Sequence, residues 1–401
     1  MKEELNQAII VAAEAGDLDN VKKALADGAD PNAVGPNSGA LHCAAFNGHK
    51  AVVDLLLKSG ADCNQKDNQS FYPLHLAASK GQVGICNTLI KAGATLNSIT
   101  EAGGTPLHVA AASDHPKVVT ALVKAGANLE ARDNNGLTVL AAAASLGRVN
   151  VVKKLITVGA EVNTNDNGRD TPLIKSLRYL YQVRIKEWSS LGSNEGKEVK
   201  YEVVKGCFRY DNDYDKNNKT KLGSILSLKE QRACAEQFWG PSEHLEYLNT
   251  LDTVKVLIKA GADVNASNDS GQTAMSMACH AGEAKLIQEL HKKGASFDSK
   301  DYQSATPLHR VAGSGRIDGL TMFFKLASNV DINVVDEYGW TPLHYLADIG
   351  GHIGMAALLL KKGANSSAKT TKGRGVGVPV DSTPADVALY WDDAEMAAAL
   401  K

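Results

Sequence analysis

An all-α solenoid of stacked helix–turn–helix units is predicted by three observations: a fixed period, an apolar stripe at helical spacing in each period, and a glycine stop that keeps step with both. A leucine recurs at Leu41, Leu74, Leu107, Leu140 and Leu173 in steps of 33, and Met275 to Leu308 repeats the step. The stop recurs as Gly60, Gly93, Gly126 and Gly159, then as Gly261 and Gly294, nearly always followed by alanine. In such an array each unit buries its apolar face only against its neighbours, so length counts repeats rather than globular domains.

Residues 104–136 hold every feature in one copy. Thr105 supplies a hydroxyl that can cap free N–H groups at a helix start, and Pro106 sits where a missing N–H costs nothing. Leu107, Ala110 and Ala111 form one apolar stripe; Val118, Val119, Leu122 and Val123 form a second on the next helix. Gly126 provides the left-handed residue that stops it, and a polar stretch of short β-turn or hairpin character leads to the next copy.

The sequences TPLHVAA (105–111), YPLHLAA (72–78), TPLHRVA (306–312) and TPLHYLA (341–347), with KAGADVNA (259–266), resemble ankyrin repeats, whose signature is T-P-L-H-x-A at the same period. The resemblance covers nearly the whole chain, as about ten repeats including the caps.

Taken in order, residues 1–32 form a degenerate N-terminal cap, with Ile9, Ala12 and Ala13 on its stripe and polar Glu3, Glu4 and Asn6 toward water. Regular repeats fill 33–181. The sixth begins normally at Thr171-Pro172-Leu173, yet its stop at Gly261 comes 88 residues after the leucine, where Leu107 to Gly126 takes 19. The excess places an insertion between its two helices, 182–249. Within it, 199–204 and 207–210 flank Lys205-Gly206 like a β-hairpin, and Ser227 to Glu230 reads as a capping box for a helix reaching Phe238. Gly240-Pro241-Ser242 then turns the chain into the returning helix, so a small folded α+β lobe is expected. Regular repeats resume over 250–365. An extended, basic, Gly-rich loop with Lys369, Lys372 and Arg374 covers 366–381, and a C-terminal cap over 382–401 places Met396 and Leu400 inward.

The net charge of −2 gives no electrostatic footprint for nucleic acid. Cys43, Cys63, Cys86, Cys207, Cys234 and Cys279 are scattered without a C-x-x-C pair and read as reduced thiols. No apolar run reaches 18 residues, and the start, with Glu3 and Glu4, is unlike a secretory signal. A cytoplasmic protein without membrane insertion is expected.

Each chemical motif has a structural reading that outweighs it. The signature histidines His42, His75, His108, His309 and His344 sit on helices about 8–10 Å apart, too far for a shared zinc bound at about 2 Å; the resemblance implies that they hydrogen-bond between neighbouring repeats. Asp211, Asp213 and Asp215 open like a calcium loop, but Lys216 and Leu222 stand where that loop needs Gly and Glu. Cys207, Cys234 and His244 share the insertion without the spacing of a known catalytic or zinc site. Gly373 to Gly377 lacks the Gly-Lys-Ser/Thr ending of a phosphate loop. No cofactor or metal is expected.

What remains is surface. In ankyrin repeats the variable positions lie on the hairpin tips and at the end of the first helix, lining a concave groove. Carried onto this chain, they are Phe46, Asn68, Gln69, Phe71, Asn134, Asn135, Leu137, Tyr302, Glu337, Tyr338, Trp340, Asp348, Tyr390 and Trp391. Tyr338, Trp340, Tyr390 and Trp391 gather near the C-terminal end in a chain only 5% aromatic, the composition of an interface hot spot; a cap over the last repeat is the competing reading for Tyr390 and Trp391. The resemblance implies a non-enzymatic scaffold or adaptor that binds a protein partner, a monomer alone or a subunit of a hetero-complex. The alternative is an enzyme, or an enzyme-targeting subunit, whose active element is the 182–249 insertion.

Overall fold

The computed structural model describes residues 2–36, 38–192, 241–373 and 377–401, with side chains omitted for 183–192 and 241–245. The described residues are helical, with only isolated β-bridges such as Arg132 to Thr138 and Ser267 to Thr273. None of their helices is long and apolar enough to cross a membrane.

The chain divides into two compact units, Met1–Asn167 and Gly168–Lys401. Among the described residues each holds five helix pairs. In the first unit these are α1 (Lys2–Ala15) with α2 (Leu18–Ala26), α3 (Ala40–Asn47) with α4 (Lys50–Lys58), and α5 (Pro73–Ser79) with α6 (Val83–Lys91). α7 (Pro106–Ala112) with α8 (Pro116–Lys124), and α9 (Val139–Ala144) with α10 (Val149–Thr157), complete it. The second unit has α11 (Pro172–Gly192) with α12 (Pro241–Lys259), α13 (Ala274–His280) with α14 (Ala284–Lys292), and α15 (Pro307–Ala312) with α16 (Ile317–Leu326). α17 (Pro342–Ile349) with α18 (Ile353–Lys361), and α19 (Pro384–Tyr390) with α20 (Ala394–Ala399), follow.

Within each unit first helices pack on first helices and second on second, which is why the stripes read as they do. Leu107, Ala110 and Ala111 are fully buried, as are Val118, Val119 and Leu122. The alanines let a first helix sit close between two others, and the larger residues fill the space against the second helix. At the ends, Ile9 and Ala13 cover the first repeat and Met396 and Leu400 the last. A helix of seven or nine residues is too short to persist alone, so this packing, and the caps, hold the elements.

Prolines and threonines start the helices as the sequence suggests. The Thr105, Thr138, Thr273 and Thr383 hydroxyls accept N–H groups of the first turn. Glycine ends or joins them: Gly81 has φ 70°, and a Cβ there would lie 2.8 Å from the His115 ring of the next repeat. Such a position excludes other residues twice over, by backbone conformation and by space.

The sixth repeat departs from the others. α11 has 21 residues and α12 has 19, against seven and nine in the α7–α8 pair. α11 therefore runs on past 182 and α12 begins well before 250, so both ends of the inserted segment are extensions of the repeat's own helices. The Tyr179 hydroxyl donates to Glu246 between them, and Tyr247 donates to Glu283 of the next repeat at 2.8 Å. The hairpin at 199–210, the helix at 227–238 and the acidic turn at 211–215 lie outside the described residues.

Candidate partner-binding surface

The surface is built on the loops that precede the first helices, and in four of them an aspartate five positions before the helix cap shapes the turn. Asp67 Oδ1 accepts the N–H groups of Gln69 and Phe71 at 2.9 and 2.8 Å. Asp133 does the same for Asn135 and Leu137, Asp301 for Gln303 and Ala305, and Asp336 for Tyr338 and Trp340. Asn268 takes the part in the seventh repeat. One carboxylate oxygen thus holds a tight turn by mimicking a backbone turn. Sequence reading passed over these residues, although Asp67, Asp133, Asp301 and Asp336 keep a constant distance to the cap.

The loops are also tied to one another. Asn134 N–H donates to Ala102 O and Asn167 N–H to Asn135 O; in the second unit Tyr302 N–H donates to Ser270 O and Glu337 N–H to Gln303 O. The result in each unit is a row of loop tips with a fixed backbone. A second row runs behind it, where Asn32 and Asn64 donate to the carbonyls of Gly60 and Gly93 and accept from Asp62 and Thr95.

The signature histidines lock first helices together. In the Thr-Pro-Leu-His copies, Nδ1 accepts the N–H of the cap residue, at 3.1 Å for His309 and for His344. Nε2 faces the carbonyl that precedes the next cap: Gly104 for His75, Leu137 for His108, Trp340 for His309 and Ser382 for His344, all at 3.0–3.1 Å. A carbonyl can only accept, so Nε2 carries the proton and the rings are neutral. Burial pushes His75 and His309 down to about 4 and lowers His42, His108 and His344 as well. His42 departs in two respects: its cap position is Gly39 and its Nδ1 is buried without a partner, and its Nε2 faces Gln65 O at 3.0 Å rather than the carbonyl just before the next cap.

Against this frame the expected surface residues divide. Tyr302 is the most open large hydrophobic side chain among the described residues, 74% exposed. Asn68, Gln69, Asn134, Asn135 and Glu337 are exposed, whereas Phe71, Leu137 and Tyr338 are half-buried. The Asn68 and Asn134 amides are spent within the row, donating to Pro36 O and Glu101 O at 2.7 Å. Phe46 is exposed, with Lys80 Nζ 4.3 Å above its ring, a cation–π contact.

Trp340 is a correction. Expected on the surface, it is 1% exposed and is the largest fully buried side chain among the described residues. Its ring packs edge-on to Tyr345 and beside His344, because the residue just before the cap turns inward, as Ala305 does in the repeat before it. Tyr345, whose hydroxyl donates to Asp336 at 3.0 Å, closes the pocket.

The C-terminal aromatics divide accordingly. Tyr390 and Trp391 are about half exposed and meet edge to face at 5.0 Å. The Trp391 indole N–H donates to Asp348 at 2.9 Å, which fixes the ring across the end of α17. Ile349 and Leu389 are exposed as well. Of the inserted residues weighed for chemistry, Cys207 and Cys234 lie outside the described residues, as does the His244 side chain; Arg374 of the Gly-rich loop is likewise outside them.

Stacked helix pairs, several of them joined by these histidine-to-carbonyl links, define a helix-hairpin repeat protein. The chain matches the family described as "Ankyrin repeats (3 copies)" over residues 9–100, 74–166 and 244–336, and that described as "Ankyrin repeat" over 338–371. It belongs to the ankyrin-repeat family. It is 33% identical over 125 residues to neurogenic locus notch homolog protein 1 of Xenopus laevis, covering 30% of this chain and 5% of that protein. It is 29% identical over 163 residues to human inversin, covering 36% of this chain and 15% of that protein. The matches thus take in only a small part of each relative's length.

Proposed function

We propose that the chain is a non-enzymatic scaffold or adaptor that holds a protein partner along its loop tips and first-helix ends. The observation that carries this is the fixed row of loops, which presents Tyr302 and, farther along, Tyr390 and Trp391, with little conformational freedom left to lose on binding. A preorganised surface gives up less entropy on association, and exposed aromatic anchors are the usual centres of binding energy. Ankyrin repeats are in general protein-binding modules, which supports the same reading. Cys43, Cys63, Cys86 and Cys279 are unpaired, in keeping with a reducing, cytoplasmic setting.

The test is site-specific photo-cross-linking in the native cell, with a photoreactive residue at Tyr302, at Trp391 or, as a control, at the outward Lys124 of α8. A protein adduct from Tyr302 or Trp391, absent from Lys124, is expected. Adducts at none of the three, or at Lys124 equally, overturn the proposal; a partner held by residues 182–249 alone would move the activity to the insertion.

A further inference from the structure

The C-terminal end of the second unit carries an apolar patch with acidic borders. Ile349 at the end of α17, and Leu389, Tyr390 and Trp391 at the end of α19, are each 42–48% exposed. Both aromatic rings are held in place: the Trp391 indole N–H donates to Asp348 Oδ1, and the Tyr390 hydroxyl lies against Gly377, where a Cβ would collide with it. Three carboxylates border the rings. Asp348 uses one oxygen on the indole, Asp393 accepts the N–H groups of Gly351 and Met396, and Asp392 follows Trp391 in an exposed position. These donors are neutral, and none of the three carboxylates is in an ion pair among the described residues. Burial lowers the proton affinity of His352 beside Asp393, so that ring is neutral at pH 7 and cancels nothing. Lys369 and Lys401 serve a different carboxylate, Asp386 at the start of α19, which is held low first by its Thr383 hydrogen bonds and further by these lysines. The charge left beside the rings is therefore negative.

We propose that this patch receives an arginine of the partner protein, its guanidinium lying on the exposed indole of Trp391 and turning its N–H edge to Asp348 and Asp392. The occupant has to suit an aromatic face and also answer carboxylates that have no cation of their own. A guanidinium does both, being planar, always charged and weakly hydrated. A cation over a tryptophan face is attracted by the ring's quadrupole. Asp348 Oδ2 accepts nothing among the described residues and stands beside the ring that Oδ1 holds. A lysine ammonium is compact and strongly hydrated, and offers no flat face to the indole. Apolar neighbours of the arginine then cover Ile349 and Leu389. Resting on the scaffold reading, the assignment gives the partner's contact at this end a charge and a shape.

The full-length protein, isotope-labelled at its tryptophan nitrogens, gives an indole NMR signal for each of Trp188, Trp239, Trp340 and Trp391, and a Trp391→Phe variant identifies the last. The probes are a capped Gly-Ser peptide with two arginines, its citrulline counterpart, which keeps the shape without the charge, and its lysine counterpart. The arginine peptide is expected to move the Trp391 signal saturably, the citrulline peptide to leave it unmoved, and the lysine peptide to bind more weakly. Asp348→Asn keeps an acceptor for the indole, and Asp392→Asn suits the left-handed backbone there, at φ 61°, so both variants should fold. Each should weaken the arginine peptide about two- to fivefold, and the double variant by the product of the two. An equal response to citrulline, no response to arginine, or an affinity unchanged in the double variant overturns the proposal. So does a lysine peptide that binds as tightly, which would leave any cation as the occupant, or a Trp391 signal that moves with protein concentration alone, which would make the patch a contact between copies of this chain. If a Tyr302 or Trp391 cross-link forms while the indole ignores arginine, this inference falls alone; cross-links absent from both sites sink the scaffold reading whatever the peptides do.

Discussion

At the scale of single residues, His75, His108, His309 and His344 bear the strongest constraint, since each joins its own cap to the next repeat and must be neutral to do so. Their folded-state proton affinity lies below the ordinary histidine value of about 6.5. The unfolded chain therefore binds more protons below that pH, and stability, fully present above pH 6.5, is lost as pH falls toward 4. Urea unfolding at pH 7, 5.5 and 4.5 should show this loss, on the order of 3 kcal/mol each for His75 and His309. A His309→Leu variant should start about 2–4 kcal/mol lower at pH 7 and lose less on acidification. Trp340 and Trp391 make a second contrast. Trp340→Ala should cost about 3–5 kcal/mol, whereas Trp391→Ala, at a half-exposed site, should change the melting temperature little. Trp340 also marks where the sequence stopped being informative: an aromatic beside a polar loop reads as exposed, and only Tyr345, nine residues from Asp336, makes the pocket that takes it in.

At the scale of elements, the helices were legible because every repeat writes the same stripe and the same stop. Ala110 and Ala111 are small because a first helix is pressed between two others, so Ala111→Leu should overpack that contact and cost about 1–3 kcal/mol by chemical denaturation. Gly81→Ala should cost a similar amount, through strain at positive φ and collision with His115. The Asp67, Asp133, Asp301 and Asp336 turns were equally periodic, yet they read as loop polarity because their role depends on two backbone N–H groups whose positions a sequence does not display. The long α11 was readable only in retrospect: no glycine or proline interrupts 173–191, so nothing in the residues tells the helix to stop where its counterparts do. The small recess shared by Arg178, His280 and Arg310 was not legible at all, since the three come from three repeats and their juxtaposition exists only once those repeats stack.

At the scale of the whole molecule, stability in a repeat array is a sum of local terms and nearest-neighbour contacts, and the two compact units make separate transitions the natural expectation. Leu41→Ala should destabilise the unit Met1–Asn167 by about 2–5 kcal/mol and leave the unfolding of Gly168–Lys401 in place. Fluorescence is suited to reading this difference, since all four tryptophans, Trp188, Trp239, Trp340 and Trp391, lie in the second unit, while circular dichroism reports both. Coincident transitions by the two probes in that variant would show instead that the units unfold together.

The histidine link has one further consequence. What His75, His108, His309 and His344 recognise in the next repeat is a main-chain carbonyl, supplied by Gly104, Leu137, Trp340 and Ser382, four residues with nothing else in common. The joint is thus indifferent to its neighbour's identity. Units can be duplicated, exchanged or lost through recombination without a matching change on the other side, and the side chains at the seam stay free to diverge.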